Sequence, residues 1–80
     1  MGFKKNLRKL LSEAADMRIS EINNILLHFG YLEMRIKGSH YIFTKPGCDT
    51  IILPVHAKKV SRNYLRIVIV LIKGILLEQP

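Results

Sequence analysis

The sequence predicts an α+β domain in which a three-stranded antiparallel sheet packs on helices. Alternating side chains at residues 31–36 and 40–45 flank a short connection that contains Gly38, a pattern typical of a β-hairpin. Ahead of this hairpin, apolar residues recur at helical spacing in two segments. The 80 residues suffice for one domain with a small core.

The N-terminal segment is predicted to form an amphipathic helix over about residues 3–14. Its apolar positions recur at helical spacing and are Phe3, Leu7, Leu10, Leu11 and Ala14. The cations between them are Lys4, Lys5, Arg8 and Lys9. Cations in a first turn oppose the helix dipole, at a cost of about a few tenths of a kcal/mol each. They fit a solvated face, a contact with RNA phosphate, or a helix that lies on a membrane.

The second helix is predicted to follow a connection at residues 15–19. Ser20 is expected to cap its N-terminus, and Glu21 suits the dipole of the first turn. The expected apolar face consists of Ile22, Ile25, Leu26 and Phe29. Gly30 is expected to end the helix in the left-handed conformation. His28 lies in the last turn, and we interpret it as a structural residue.

The alternation within the hairpin predicts which side chains share a face. In the first strand the residues expected to face the core are Leu32, Met34 and Ile36. Those expected to face solvent are Tyr31, Glu33 and Arg35. In the second strand Ile42 and Thr44 share one side, and Tyr41, Phe43 and Lys45 share the other. Residues 50–53 are predicted to form a third strand, which Pro54 ends because proline cannot donate to a central ladder.

Turns and loops separate the remaining elements. Pro46-Gly47 is a turn signal, and Cys48 beside it is expected to be structural or incidental, because no base adjoins the thiol. Residues 55–59 are predicted to be a basic loop, and Ser61 is a candidate N-cap for a final helix. A single cysteine excludes an intrachain disulfide, which fits a reducing compartment.

The charge balance favours an anionic partner. Thirteen Lys and Arg residues against six Asp and Glu residues give a net charge of +7. RNA, DNA, a membrane surface and an acidic protein all fit this charge. The apolar run at residues 67–72 is far shorter than a bilayer span, and the N-terminus lacks the pattern of a signal peptide. We therefore expect a cytoplasmic protein with no membrane partner.

Metal chemistry has little support in the sequence, and no cofactor is predicted. The three histidines and Cys48 lack the paired spacing of zinc ligands, and the carboxylates are few and scattered. RNA cleavage does not require a metal, because RNA supplies its own nucleophile, the 2′-OH. The protein must accept that proton, protonate the leaving oxygen and stabilise the phosphorane. Histidine suits this work because its unperturbed pKa is about 6.5.

Two histidines are candidates for such a role. His40 lies at the start of the second hairpin strand, where it is either an ordinary exposed histidine or an acid/base group. Arg35, Lys37, Lys58 or Lys59 could supply positive charge near it. His56 is a second acid/base group, an RNA contact or a loop residue, and Tyr41 is expected to pack or stack.

Two short motifs carry a resemblance. Gly38-Ser39-His40-Tyr41-Ile42, followed by Pro54-Val55-His56, resembles the HicA family of toxins, the mRNA interferases of HicA–HicB toxin–antitoxin pairs. The likeness runs from about residue 19 to about residue 72. It implies a fold similar to a double-stranded RNA-binding domain, and it implies that the catalytic histidine of the Gly-Ser-His motif is His40.

The resemblance also resolves the C-terminal segment. Residues 67–72 have high β propensity, yet Leu65, Val68, Ile72 and Leu76 fit helical spacing. Ser61 and the resemblance favour a helix that either covers about residues 62–73 or extends past Gly74, and part of its apolar surface is expected to meet an interface. The element order is then α-α-β-β-β-α. Residues 1–80 form one domain with a 19–73 core and a helical extension at 1–18.

The implied function is that of a toxin. The resemblance implies an mRNA endoribonuclease that a HicB-like antitoxin holds inactive, and any homo-oligomer would form through that complex. From the apolar final helix and the net charge of +7, we expect an antitoxin that covers His40 to place carboxylates near the basic loop and apolar side chains against Val68, Ile69 or Ile72. The residues expected to bind RNA are Lys37, Gly38, Ser39, Lys45, His56, Lys58, Lys59 and Arg62. The alternative is a non-catalytic RNA-binding module or structural partner subunit with the same fold. A third class is a membrane-surface protein built around the first helix.

Overall fold

The computed structural model describes residues 2–12, 16–32 and 35–78, which contain three helices and five strands. The elements are α1 (Phe3–Leu11), β1 (Asp16–Arg18), α2 (Ile19–His28), β2 (Arg35–Lys37), β3 (His40–Phe43), β4 (Ile51–Pro54), β5 (Lys59–Ser61) and α3 (Arg62–Glu78). The predicted α+β class and the three-stranded antiparallel sheet are confirmed.

The three-stranded sheet has one buried face and one open face. β3 lies in its centre and pairs antiparallel with β2 and β4. The face that joins the core carries Tyr41, Phe43, Ile51 and Leu53. The opposite face carries Arg35, Lys37, His40, Ile42, Ile52 and Pro54. The rest of the core cluster comes from the helices, from β1 and β5 and from Tyr31 and Val55, and the face that carries His40 is left open to solvent.

A second, two-stranded sheet corrects two of the predicted connections. The segment predicted as a connection holds β1 and the start of α2 at residues 16–19, and the basic loop at 55–59 runs into β5. β1 and β5 pair antiparallel, with Met17 opposite Val60, and both side chains are buried. The element order is therefore α-β-α-β-β-β-β-α. A strand of three residues is too short for its alternation to be recognised in the sequence.

Helix α1 packs on α2 through both apolar and polar contacts. It ends at Leu11, and residue 14 of the predicted helix lies outside the described residues. Leu10 is fully buried. The Asn6 side-chain amide donates to Asn24 Oδ1 at 2.9 Å. Lys9 Nζ lies 3.1 Å from the Glu21 carboxylate.

Helix α2 begins two residues earlier than predicted, with Arg18 and not Ser20 at its cap position. The N–H of Arg18 donates to Glu21 Oε1 at 2.9 Å, which satisfies the backbone where the helix begins. Burial favours a higher pKa for Glu21, but the hydrogen bonds from Arg18 and Lys9 outweigh it and lower that pKa below its ordinary value. Gly30, at φ +93°, ends the helix in the left-handed conformation, as predicted.

The first hairpin strand does not present the predicted faces. Tyr31 is buried at 3% exposure, whereas Leu32 and Ile36 are 56% and 58% exposed. Glu33 and Met34 lie outside the described residues. The N–H of Tyr31 donates to the Leu26 carbonyl directly after the Gly30 turn, which holds Tyr31 at the end of α2. Ile36 does share a face with Tyr41, but β2 is an edge strand.

Helix α3 confirms the helical interpretation of the C-terminal segment and continues through Gly74 to Glu78. Its inner face is formed by Leu65, Val68 and Ile72, all of them buried. Val68 and Ile72 are therefore not available to an antitoxin, contrary to the sequence-based expectation. Within the described residues, no helix is long and apolar enough to cross a membrane.

Candidate functional site

The Gly38-Ser39 turn fixes the position of His40. Lys37 and His40 are cross-strand partners, so the connection between them has two residues. Gly38 has φ +62° and is the first central residue of the turn, the position that a type II′ turn gives to glycine. The local sequence thus places the His40 side chain at the end of the hairpin, next to Lys37 on the open face of the sheet.

The same turn is tied to the end of β4. The N–H of Val55 donates to the Ser39 carbonyl at 2.8 Å, and His40 pairs with Pro54. This bond connects the Gly-Ser-His motif directly to the Pro-Val-His motif. His40 itself is exposed.

A second, strained turn follows at His56. The N–H of His56 donates to the Lys59 carbonyl, and the N–H of Lys59 donates to the His56 carbonyl. Between them, Ala57 and Lys58 have φ values of +51° and +63°. The left-handed region costs a residue with a Cβ roughly 1–2 kcal/mol. The Lys58 carbonyl also accepts the N–H of Ile19 at 2.9 Å, so the start of α2 helps to hold this turn.

A surface cavity of about 350 Å³ lies beside the two turns. It is lined by Asp16, Pro54, His56, Lys59, Ser61 and Tyr64. Among these lining residues, Asp16 Oδ2 and Lys59 Nζ are 4.0 Å apart, and both side chains are 52% exposed. Neither Asp16 nor Tyr64 is indicated by the sequence motifs or by the charge pattern. The only signal for Tyr64 is an aromatic residue in the first turn of a helix that starts beside a basic segment.

The other predicted site residues are distributed unevenly. Lys58 and Lys59 belong to the strained turn, and Arg62 is the exposed first residue of α3. Lys45 is engaged elsewhere: its Nζ donates to the Phe29 carbonyl at 2.8 Å and lies 5.7 Å from the centroid of the Tyr31 ring. The structure therefore places the Lys45 ammonium at the C-terminal end of α2.

The residues interpreted as structural have contacts that agree with that interpretation. His28 stacks on Phe3, with ring centroids 3.6 Å apart. Cys48 is an exposed free thiol in a turn that its own N–H closes by donating to the Lys45 carbonyl. In the described part of the chain, no three or more metal-ligating side chains lie close enough together to hold an ion.

Comparison with known protein families gives one match. The family model described as "HicA toxin of bacterial toxin-antitoxin" matches residues 19–74. The match starts at the first residue of α2 and includes the His40 hairpin, the His56 turn and most of α3. Comparisons with curated proteins and with solved structures give no match. Because the matched region is well over half of the 80 residues, the chain belongs to the HicA family, the toxins of bacterial toxin–antitoxin pairs.

Proposed function

We propose that this HicA family member is an endoribonuclease that cleaves mRNA without a metal ion, with His40 as an acid/base group. The observation that carries the proposal is the exposed position of His40 at the tip of a hydrogen-bonded hairpin, opposite Lys37. An imidazole there accepts the proton of the RNA 2′-OH, or donates one to the leaving 5′-oxygen. An adjacent ammonium stabilises the negative phosphorane.

The proposed RNA-binding surface surrounds this histidine. Its members are Lys37, Gly38, Ser39, His56, Lys58, Lys59 and Arg62. The lysines and Arg62 contact phosphates, and the Gly38-Ser39 turn supplies backbone groups at the reacting nucleotide. Lys45 is omitted because its ammonium already donates to the Phe29 carbonyl.

A cleavage assay with chemically modified RNA tests the reaction. Once a cleavage position has been mapped, an RNA with one 2′-deoxynucleotide immediately 5′ of the scissile phosphate should resist cleavage there, because the nucleophile is missing. Cleavage of unmodified RNA should persist in EDTA and leave 2′,3′-cyclic phosphate ends. Cleavage of the 2′-deoxy RNA at the same position, or complete loss of activity in EDTA, would contradict the proposed chemistry.

We propose further that a HicB-like antitoxin binds the outer face of α3. This face presents Ile67, Val70 and Leu77, which are 49%, 71% and 87% exposed. They lie three and seven residues apart, so they form one stripe along the helix. Membership of a toxin–antitoxin family supplies a partner for this apolar stripe, which replaces the Val68 and Ile72 contacts expected from the sequence.

Val70→Asp tests the antitoxin surface. We expect the affinity for the antitoxin to fall by at least roughly 30-fold, because a carboxylate would be buried in an apolar contact. Isothermal titration calorimetry measures this change. Leu27→Asp is the matched control, because Leu27 is an exposed apolar residue of α2 (44%) outside the stripe. Equal affinities of the Val70 variant and the wild type would remove this face from the interface.

A further inference from the structure

We propose that the cavity beside His40 binds the base of one unpaired RNA nucleotide, with Tyr64 as a stacking platform and Asp16 as a selector of base type. The inference deepens the proposed function, on which it rests for the identity of the ligand as RNA. It adds two residues that neither the family motifs nor the charge pattern indicated.

The first observation in support is the position of the cavity relative to His40. Pro54 is the cross-strand partner of His40 and also lines the cavity. Cross-strand partners have Cα atoms roughly 4.5–5.5 Å apart. The bond from the Val55 N–H to the Ser39 carbonyl fixes the hairpin against this wall. A nucleotide whose phosphate lies at His40 therefore has its base, or that of its neighbour, within reach of the cavity.

The second observation in support is the chemistry of the residues that line the cavity. Tyr64 is 39% exposed, so part of its surface is accessible to a ligand. Bases stack on exposed aromatic rings in single-stranded RNA recognition. Lys59 and His56 also line the cavity and offer hydrogen-bond donors to the ribose and phosphate. The lining of the cavity thus combines an aromatic platform with cationic or polar donors.

The third observation in support is the hydrogen-bonding capacity of the Asp16 carboxylate. A carboxylate only accepts hydrogen bonds, so it favours a base edge with an amino group, such as that of cytosine, over the carbonyl-rich edge of uracil. Its ion pair with Lys59 is long, at 4.0 Å, and both side chains are 52% exposed. Such a pair contributes little to stability, so a base can replace one of its contacts at small cost.

The strained turn supports the same location. Ala57 and Lys58 hold left-handed conformations although neither is glycine, and they lie between two residues that line the cavity. Backbone strain of this kind occurs preferentially at functional sites, where it presents side chains in a fixed direction.

Nucleotide titrations followed by NMR test the inference with the full chain. Cytidine 3′-monophosphate should shift the ring resonances of Tyr64. Tyr64→Ala should weaken its binding by roughly 5- to 150-fold, whereas Tyr64→Phe, which keeps the ring, should stay within about threefold. Leu27→Ala is the control for truncation of an exposed side chain away from the cavity. Wild-type affinity in the Tyr64→Ala variant would overturn the stacking role.

Asp16→Asn tests base selection separately. The wild type should bind cytidine 3′-monophosphate at least roughly fivefold more tightly than uridine 3′-monophosphate, and the variant should lose this preference, because an amide both donates and accepts. Equal binding of the two nucleotides by the wild type would overturn the role of Asp16.

Cleavage kinetics distinguish a failure of this inference from a failure of the proposed function. If the wild type cleaves RNA and Tyr64→Ala changes neither KM nor kcat, the cavity inference fails and the proposed nuclease stands. If the wild type binds cytidine 3′-monophosphate through Tyr64 but cleaves no RNA, the nuclease proposal fails and the binding site stands.

Discussion

His40→Ala is expected to lower the rate of RNA cleavage by roughly 100- to 10,000-fold, the usual contribution of one positioned acid/base group. The loss should appear in kcat, because RNA binding depends mainly on the cations around the hairpin. Single-turnover cleavage with saturating protein measures the chemical step, and filter binding measures the affinity for RNA. We expect the affinity to change by less than about threefold.

The cleavage rate of the His40→Ala variant can be interpreted only if the variant is about as stable as the wild type. The His40 side chain is exposed and lies next to the turn, so its truncation should change the free energy of unfolding by less than about 1 kcal/mol. His28→Ala is the matched control, since it removes an imidazole that stacks on Phe3 and should leave cleavage nearly unchanged. A stable His40→Ala variant with the wild-type rate would remove His40 from the mechanism, whereas a wild type that binds RNA without cleaving it would favour the alternative, an RNA-binding module without catalysis.

Phe43→Ala is expected to reduce the free energy of unfolding by about 3–5 kcal/mol, the range for a buried phenylalanine. Phe43 is fully buried on the central strand of the sheet. A domain of 80 residues has a total stability of only roughly 4–12 kcal/mol. The variant should therefore be partly unfolded near physiological temperature. Urea unfolding followed by circular dichroism gives the difference.

Ile52→Ala is the control for the two faces of the sheet. Ile52 lies on the adjacent strand but on the open face, where it is 52% exposed. Its truncation should cost less than about 1 kcal/mol. Comparable losses in the two variants would contradict the assignment of one buried and one open face.

Several elements could be predicted because their signals are local. The hairpin depends on one glycine between two alternating segments, and Gly38 does adopt the positive φ that this requires. The buried face of α2 follows from helical spacing alone. Both features depend on neighbours within a few residues, so they can be read without knowledge of the tertiary structure.

Other features depend on contacts between distant segments and could not be predicted in this way. β1 exists because Asp16–Arg18 meets Lys59–Ser61, about forty residues later in the chain. Tyr31 is buried and Leu32 exposed because the chain turns at Gly30 and bonds back to Leu26. Alternation alone assigned these two residues the opposite way.

The residues of the candidate site also fall into those that local sequence predicts and those that only contacts between distant segments bring together. His40 and the residues of its turn were selected from a contiguous motif. The cavity was not, because Asp16 and Tyr64 come together only through the pairing of β1 with β5. Lys45 was misleading for a related reason, since its position in the sequence does not reveal the bond to the Phe29 carbonyl.

The N-terminal contacts bear on the modularity of this protein. The region that matches the HicA family begins at residue 19, yet Leu10 and Met17 lie before it and are buried in the common core. Met17 also belongs to a strand that pairs with β5, within the matched region. The start of the region with detectable similarity to the family and the start of the region that builds the common core therefore do not coincide. A chain cut at the edge of the family match would lose part of its own interior.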